Sequence, residues 1–153
     1  MKKNKRILMN LNGLLMVNQE VEKIYLELVD KVTDDELKYY FRTNSLKRKE
    51  FSEALKVEIL NLGGSCNKVG IQASSELSKF WMNVRNFVLL NDGEENLINE
   101  VREMQSLAIN KYNELLRMLG LPLSVCKLLV KQRDIIQDSK DVIERQELFA
   151  FAQ

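Results

Sequence analysis

Polar residues interrupt the apolar faces of the long helices that this sequence encodes, and they carry the chemistry available to it. Asn18 and Glu22 fall between Leu15 and Tyr25. Asn44, Lys47 and Arg48 lie between Phe41 and Phe51, Gln105 stands among Val101, Ala108 and Tyr112, and Gln132 and Ser139 separate apolar neighbours. All these breaks come near mid-helix, so side chains of four facing helices can meet in one internal layer. Inward carboxylates would make that layer a metal or ligand site. Opposite charges would make it an ion-pair layer, because buried charge is tolerated only when paired and hydrogen-bonded. The plainest alternative is a stripe edge, where Lys, Arg and Glu carry their charged ends to water.

Much other chemistry is excluded. The chain has no histidine, which removes imidazole-activated serine or cysteine nucleophiles and histidine-based zinc hydrolysis. GGSCNKVG, from Gly63, looks superficially like a phosphate loop but lacks Gly-Lys-Ser/Thr at the required spacing and a preceding strand. KRK at 47–49 is flanked by Glu50 and Glu53 and reads as a solvated helix face rather than a nucleic-acid patch. Cys66 and Cys126 lie sixty positions apart, too few and too distant for a disulfide framework or thiolate zinc site.

The elements that must position these residues follow from punctuation and periodicity. With 153 residues, 45% hydrophobic and 29% charged, the chain suits a single domain over residues 1–153, its core spanning about 8–148. Six Gly and one Pro leave few places to turn, so few and long elements are expected. Leu8, Leu11, Leu15, Tyr25, Leu28, Val29 and Val32 mark a first helix. TDDE at 33–36 is a capping box, with Thr33 as the expected cap of a second helix that ends at Gly63-Gly64. A shorter helix is expected over ELSKFWMNVRNFVLL. A third long helix follows Leu97, Val101, Met104, Ala108, Tyr112, Leu115 and Leu119 to Gly120. Pro122 suits the first turn of the fourth, which runs through Val125, Leu129, Ile136 and Ile143 towards Phe149.

YLELVDKVTDDELKYYFRTNSLKRKEFSEALKVEILNLGG, the helix KFWMNVRNFVLLNDGEENLINEV and the later INKYNELL together resemble a bacterial family of ferritin-like four-helix-bundle proteins of unknown function. Lys79, Trp81, Val84, Asp92 and Glu100 carry its most specific segment. The resemblance implies an all-α, antiparallel ferritin-like four-helix bundle with a short extra helix between its second and third long helices. Ferritin-like proteins with di-iron centres use a carboxylate from each of two helices and Glu-x-x-His from each of the other two. On this chain those positions fall at Glu22, at Lys47 and Glu50, at Gln105, and at Gln137 and Lys140. An ammonium cannot ligate a metal but can replace one. Glu22 and Glu50 against Lys47 and Lys140 sum to zero, so a polar core layer without metal or other cofactor is expected. Iron or manganese held by Glu22, Glu50 and Glu103 is the alternative.

Function is therefore expected to be non-enzymatic: a structural or protein-interaction module. Phe80 and Trp81 on the short helix, and Phe149 and Phe151 in the tail ERQELFAFAQ, are candidates for an interface. A homo-oligomer, as a dimer, is expected, with a further protein partner open. The net charge of +1 offers no general field for nucleic acid or an anionic membrane. MKKNKR precedes an apolar run that Asn10 and Asn12 interrupt, and no apolar stretch reaches about 18 residues. A cytoplasmic location is expected. The cysteines also bear on topology: if residues 65–91 cross the bundle lengthwise, Cys66 and Cys126 share one end, whereas simple up-down connections separate them.

Overall fold

A computed structural model describes residues 2–66 and 94–152. These residues form α1 (Lys2–Lys31), α2 (Asp35–Asn61), α3 (Glu94–Leu116) and α4 (Leu123–Ala152), with no strand among them. The expected extra helix, with Phe80 and Trp81, lies outside the described residues.

Local chemistry sets the boundaries. Asp34, not Thr33, caps α2: its Oδ1 accepts from the amides of Glu36 at 2.8 Å and Leu37 at 3.3 Å. The cap thus falls one residue later than TDDE suggests, with Asp35 and Glu36 then in the first turn, where acidic groups complement the positive helix end. At the other end, Gly63 adopts φ 81°, a left-handed conformation in which glycine has no Cβ penalty. Gly64 follows, and a Cβ there would collide with the Leu8 side chain, so glycine lets the end of α2 close on the start of α1. Gly120 (φ 82°) follows α3, and the Pro122 carbonyl accepts from the Cys126 amide at 3.0 Å as α4 begins.

Contacts run in opposite order along neighbouring helices. Leu8 approaches Gly64, Asn18 bonds Arg48, and Tyr25 stacks on Phe41 with centroids 5.9 Å apart. Along α1 and α3, Asn18 meets Tyr112 and Tyr25 meets Gln105. Along α2 and α4, Glu58 meets Ser124, Phe51 meets Gln132 and Tyr40 meets Ser139. The end of α2 and the start of α4 consequently share one end of the molecule, together with Cys66 and Cys126. The first turns of α3 lie at the other end, where Leu97 and Ile98 pack with Val32 and Leu37. The end of α2 and the start of α3 therefore lie at opposite ends.

The core has two apolar clusters. One joins Val21, Ile24, Leu28, Phe41, Val101 and Ile143; the other joins Leu11, Leu55, Ile59, Ala108, Leu129 and Ile136. The buried residues of α4 explain what lies between. Val125, Leu129, Gln132, Ile136, Ser139 and Ile143 follow one another in steps of four and three, the spacing of a bundle seam. Gln132 and Ser139 occupy seam positions, so their side chains must point inwards.

Candidate functional site: a polar layer across four helices

Asn18, Asn44, Ser45, Arg48, Ser52, Gln105, Gln132 and Ser139 are all buried. Some are satisfied by their own helix. Asn18 Nδ2 donates to the Leu14 carbonyl at 3.0 Å, Asn44 Nδ2 to Tyr40 at 2.8 Å and Ser52 Oγ to Arg48 at 3.0 Å. These bonds to the fourth preceding carbonyl fix the side chains and remove part of the cost of burying them.

The remaining bonds form two chains, each crossing all four helices. In the first, Arg48 Nη1 (α2) donates to Asn18 Oδ1 (α1) at 2.8 Å, and Asn18 Nδ2 donates to the Tyr112 hydroxyl (α3) at 3.0 Å. That hydroxyl donates to Gln132 Oε1 (α4) at 2.6 Å, and Gln132 Nε2 returns to the Phe51 carbonyl on α2 at 3.2 Å. The circuit closes. In the second, Gln105 Nε2 (α3) donates to the hydroxyls of Tyr25 (α1) at 3.0 Å and Tyr40 (α2) at 2.7 Å. Tyr40 then donates to the Ser139 carbonyl (α4) at 2.6 Å. This chain is open and carries no charge.

Burial pushes the Tyr25 and Tyr112 hydroxyls up to about 12, against the opposing pull of the Arg48 charge and of their hydrogen bonds to Gln105 and Asn18 respectively. Tyr40 is also raised, by burial and then by Tyr25. All three remain neutral phenols at physiological pH. The layer therefore carries the Arg48 cation among neutral partners, fixes helix register and exchanges hydrogen bonds, and among the described residues it offers no carboxylate for acid–base work.

The residues at the di-iron positions fare differently from one another. Gln105 lies in the layer. Glu22, Lys47, Gln137 and Lys140 are half-buried, and Glu50 is exposed, as is Glu103. Gln137 bonds Asp141 at 3.0 Å and Lys140 pairs with Glu144 at 3.6 Å, each along its own helix. Glu22, Lys47, Glu50, Gln137 and Lys140 therefore do not join Gln105 in either chain of bonds. Among the described residues no group of three or more His, Cys, Asp and Glu could hold a metal ion. The closest approach to such chemistry is Glu100, whose pKa is raised by burial and then by the charge of Glu103. Phe149 and Phe151 fall on the last turns of α4, and their side chains lie outside the described set.

The sequence marks Asn18, Asn44, Arg48, Gln132 and Ser139 as breaks in the stripes, and the structure makes them buried members of the seam. Lys47 and Arg48 are neighbours in sequence; only Arg48 continues the run Phe41, Asn44, Arg48, Phe51, Leu55, with its steps of three and four. The tyrosines are the missed partners. They read as apolar bulk, yet a buried tyrosine at a seam brings a hydroxyl that requires a partner. Beside the layer, a cleft of about 530 Å³ between α2 and α4 is lined by Tyr39, Tyr40, Asn44, Lys47, Ser139 and Val142, among others.

The fold and this layer define a class: a four-helix assembly organised around a cationic, hydrogen-bonded core. The chain belongs to the family described as Domain of unknown function (DUF2383), whose model matches residues 6–118. No curated protein matches it. The matched span contains Asn18, Arg48, Gln105 and all three layer tyrosines, and ends before Gln132 and Ser139.

Proposed function

We propose that this protein is a non-enzymatic, antiparallel ferritin-like bundle acting in the cytoplasm as a structural or protein-interaction module, self-associating and free of metal at its core. One observation carries this reading: the Arg48 guanidinium is buried in the layer on α2, one residue from Lys47. A fixed positive charge repels a divalent ion and gives the layer the cation that a metal would supply. The reversed order of contacts, with the end of α2 and the start of α3 at opposite ends, supports the ferritin-like topology. No helix among the described residues is long and apolar enough to cross a membrane.

Self-association is supported by the outer face of α2. Tyr39, Leu46, Val57 and Leu60 are each more than half exposed, and at 3.6 residues per turn they fall within about 60° of one another. Exposed Glu50 and Glu53 share that face between Leu46 and Val57; large apolar residues facing water mark an interaction surface, and a face of this kind can pair with itself about a two-fold axis. Iron or manganese binding has one observation in its favour, the proximity of Glu100 and Glu103. Both belong to α3, and no facing helix brings them a third described ligand.

Elemental mass spectrometry on untagged protein, produced with iron, manganese and zinc supplied, tests the reading. Background metal is expected. One or two equivalents per chain would overturn the metal-free core. On the same sample, light scattering is expected to give a mass above one chain, and Leu46→Lys is expected to lower it.

A further inference from the structure

Among the described residues, the positive charge in the layer has no ion-pair partner. Arg48 is 2% exposed; its Nη1 is bonded to Asn18, and its Nη2 has no partner among them. The guanidinium stays protonated in proteins. Ion pairs along the surface of the fold, such as Lys23–Glu20, Lys56–Glu53 and Lys140–Glu144, do not include it. Its charge reaches Tyr25, Tyr40 and Tyr112, which burial keeps protonated. Asn18 and Gln132 are neutral amides. A water molecule against Nη2 would complete a hydrogen bond but leave the charge uncompensated, and an isolated buried charge is strongly unfavourable.

From these residues we infer that the layer binds a small monovalent anion of the halide type against Arg48 Nη2, making the occupied core neutral. The inference rests on the metal-free reading above and names the ligand of the same site. A second donor lies within the field of Arg48: the Tyr25 hydroxyl accepts from Gln105 and, among the described residues, its own proton has no acceptor. A single spherical acceptor fits these few donors, whereas a phosphate or sulfate would bring more oxygens than they satisfy. The cleft between α2 and α4 borders the layer without including Arg48. It reaches Tyr40, Asn44 and Ser139 at the edge of the layer, with half-buried Lys47 on its wall. Asp35, Glu36 and Asp138 also line it, so the cleft carries more negative than positive charge and the anion's position is the buried guanidinium, not the cleft.

Thermal unfolding of the intact chain in sodium chloride, sodium bromide and sodium gluconate at matched ionic strength tests this. A ligand that binds only the native state raises Tm with its concentration. The expected result is a higher Tm in either halide, increasing with halide concentration, and loss of that dependence in Arg48→Met. Equal Tm in all three salts, or an unchanged halide dependence in Arg48→Met, would overturn the inference. Should that variant not fold, crystals of the wild type grown in bromide decide: an anomalous peak beside Arg48 supports the site, and its absence there removes it. Metal found by elemental analysis would instead defeat the underlying reading, so the two failures are separable.

Discussion

The two hydrogen-bond chains cross the same four helices and differ in what they carry. One is a closed circuit through Arg48, Asn18, Tyr112 and Gln132; the other is an open, neutral run from Tyr25 through Gln105 and Tyr40 to Ser139. Bonds to a charged group in a dry environment are worth more than neutral ones, and losing one leaves a charge stranded. The closed circuit should therefore be the more sensitive of the two, although both use the same kinds of side chain. Neither chain is a source of stability compared with well-packed apolar residues. Their value is specificity, because a helix displaced along its axis loses bonds to two neighbours together.

The largest effect is expected from Asn18→Ala. It removes the Arg48 acceptor and a donor to Tyr112, and should cost about 3 kcal/mol in denaturant unfolding. In an Arg48→Met background the same substitution should cost much less, and equal costs in both backgrounds would remove the distinction between the circuits. Alkaline titration comes next. A tyrosine whose folded pKa lies above its unfolded value of 10.0 contributes stability that is complete below pH 10 and lost as pH rises towards about 12. Stability should fall above pH 10 with a slope approaching about 1.4 kcal/mol per pH unit for each such tyrosine. Tyr112→Phe should flatten that slope, and a flat profile in the wild type would mean that the phenols are open to water.

Tyr40→Phe probes the neutral chain and should cost about 1 kcal/mol, the worth of an ordinary hydrogen bond. A cost equal to that of Asn18→Ala would place the charge in the wrong chain. Glu100→Gln should have the smallest effect, and of opposite sign. The raised pKa of Glu100 means that its charged form is disfavoured in the folded state, so the variant should be slightly more stable at neutral pH. The difference should vanish as pH falls below the ordinary carboxylate value, where both side chains are neutral.

Much of the fold was legible in the sequence because its signals are local: Gly63-Gly64 and Gly120 as stops, Pro122 before the last helix, and an apolar period sustained over long stretches. The cap shifted from Thr33 to Asp34 because either residue can accept amide bonds and the pattern does not rank them. The site was legible in part. Breaks at Asn18, Arg48, Gln105, Gln132 and Ser139 were visible, but locating the layer through di-iron positions favoured Glu22, Lys47, Glu50, Gln137 and Lys140. A seam of alternating three- and four-residue steps separates Arg48 from Lys47, a distinction of about 100° around the helix. The tyrosine hydroxyls were hidden for another reason. Hydropathy describes the ring, and only the facing helices reveal what the oxygen meets.

The closed circuit also bears on where this chain can be cut. Tyr112 lies within the span matched by the family model, while the oxygen that receives its proton belongs to Gln132, beyond residue 118. A fragment ending at 118 would leave that proton unclaimed and open the seam of three helices to solvent. Such a fragment should behave as a molten species that binds hydrophobic dye, and a separately supplied peptide spanning α4 should restore slow amide exchange.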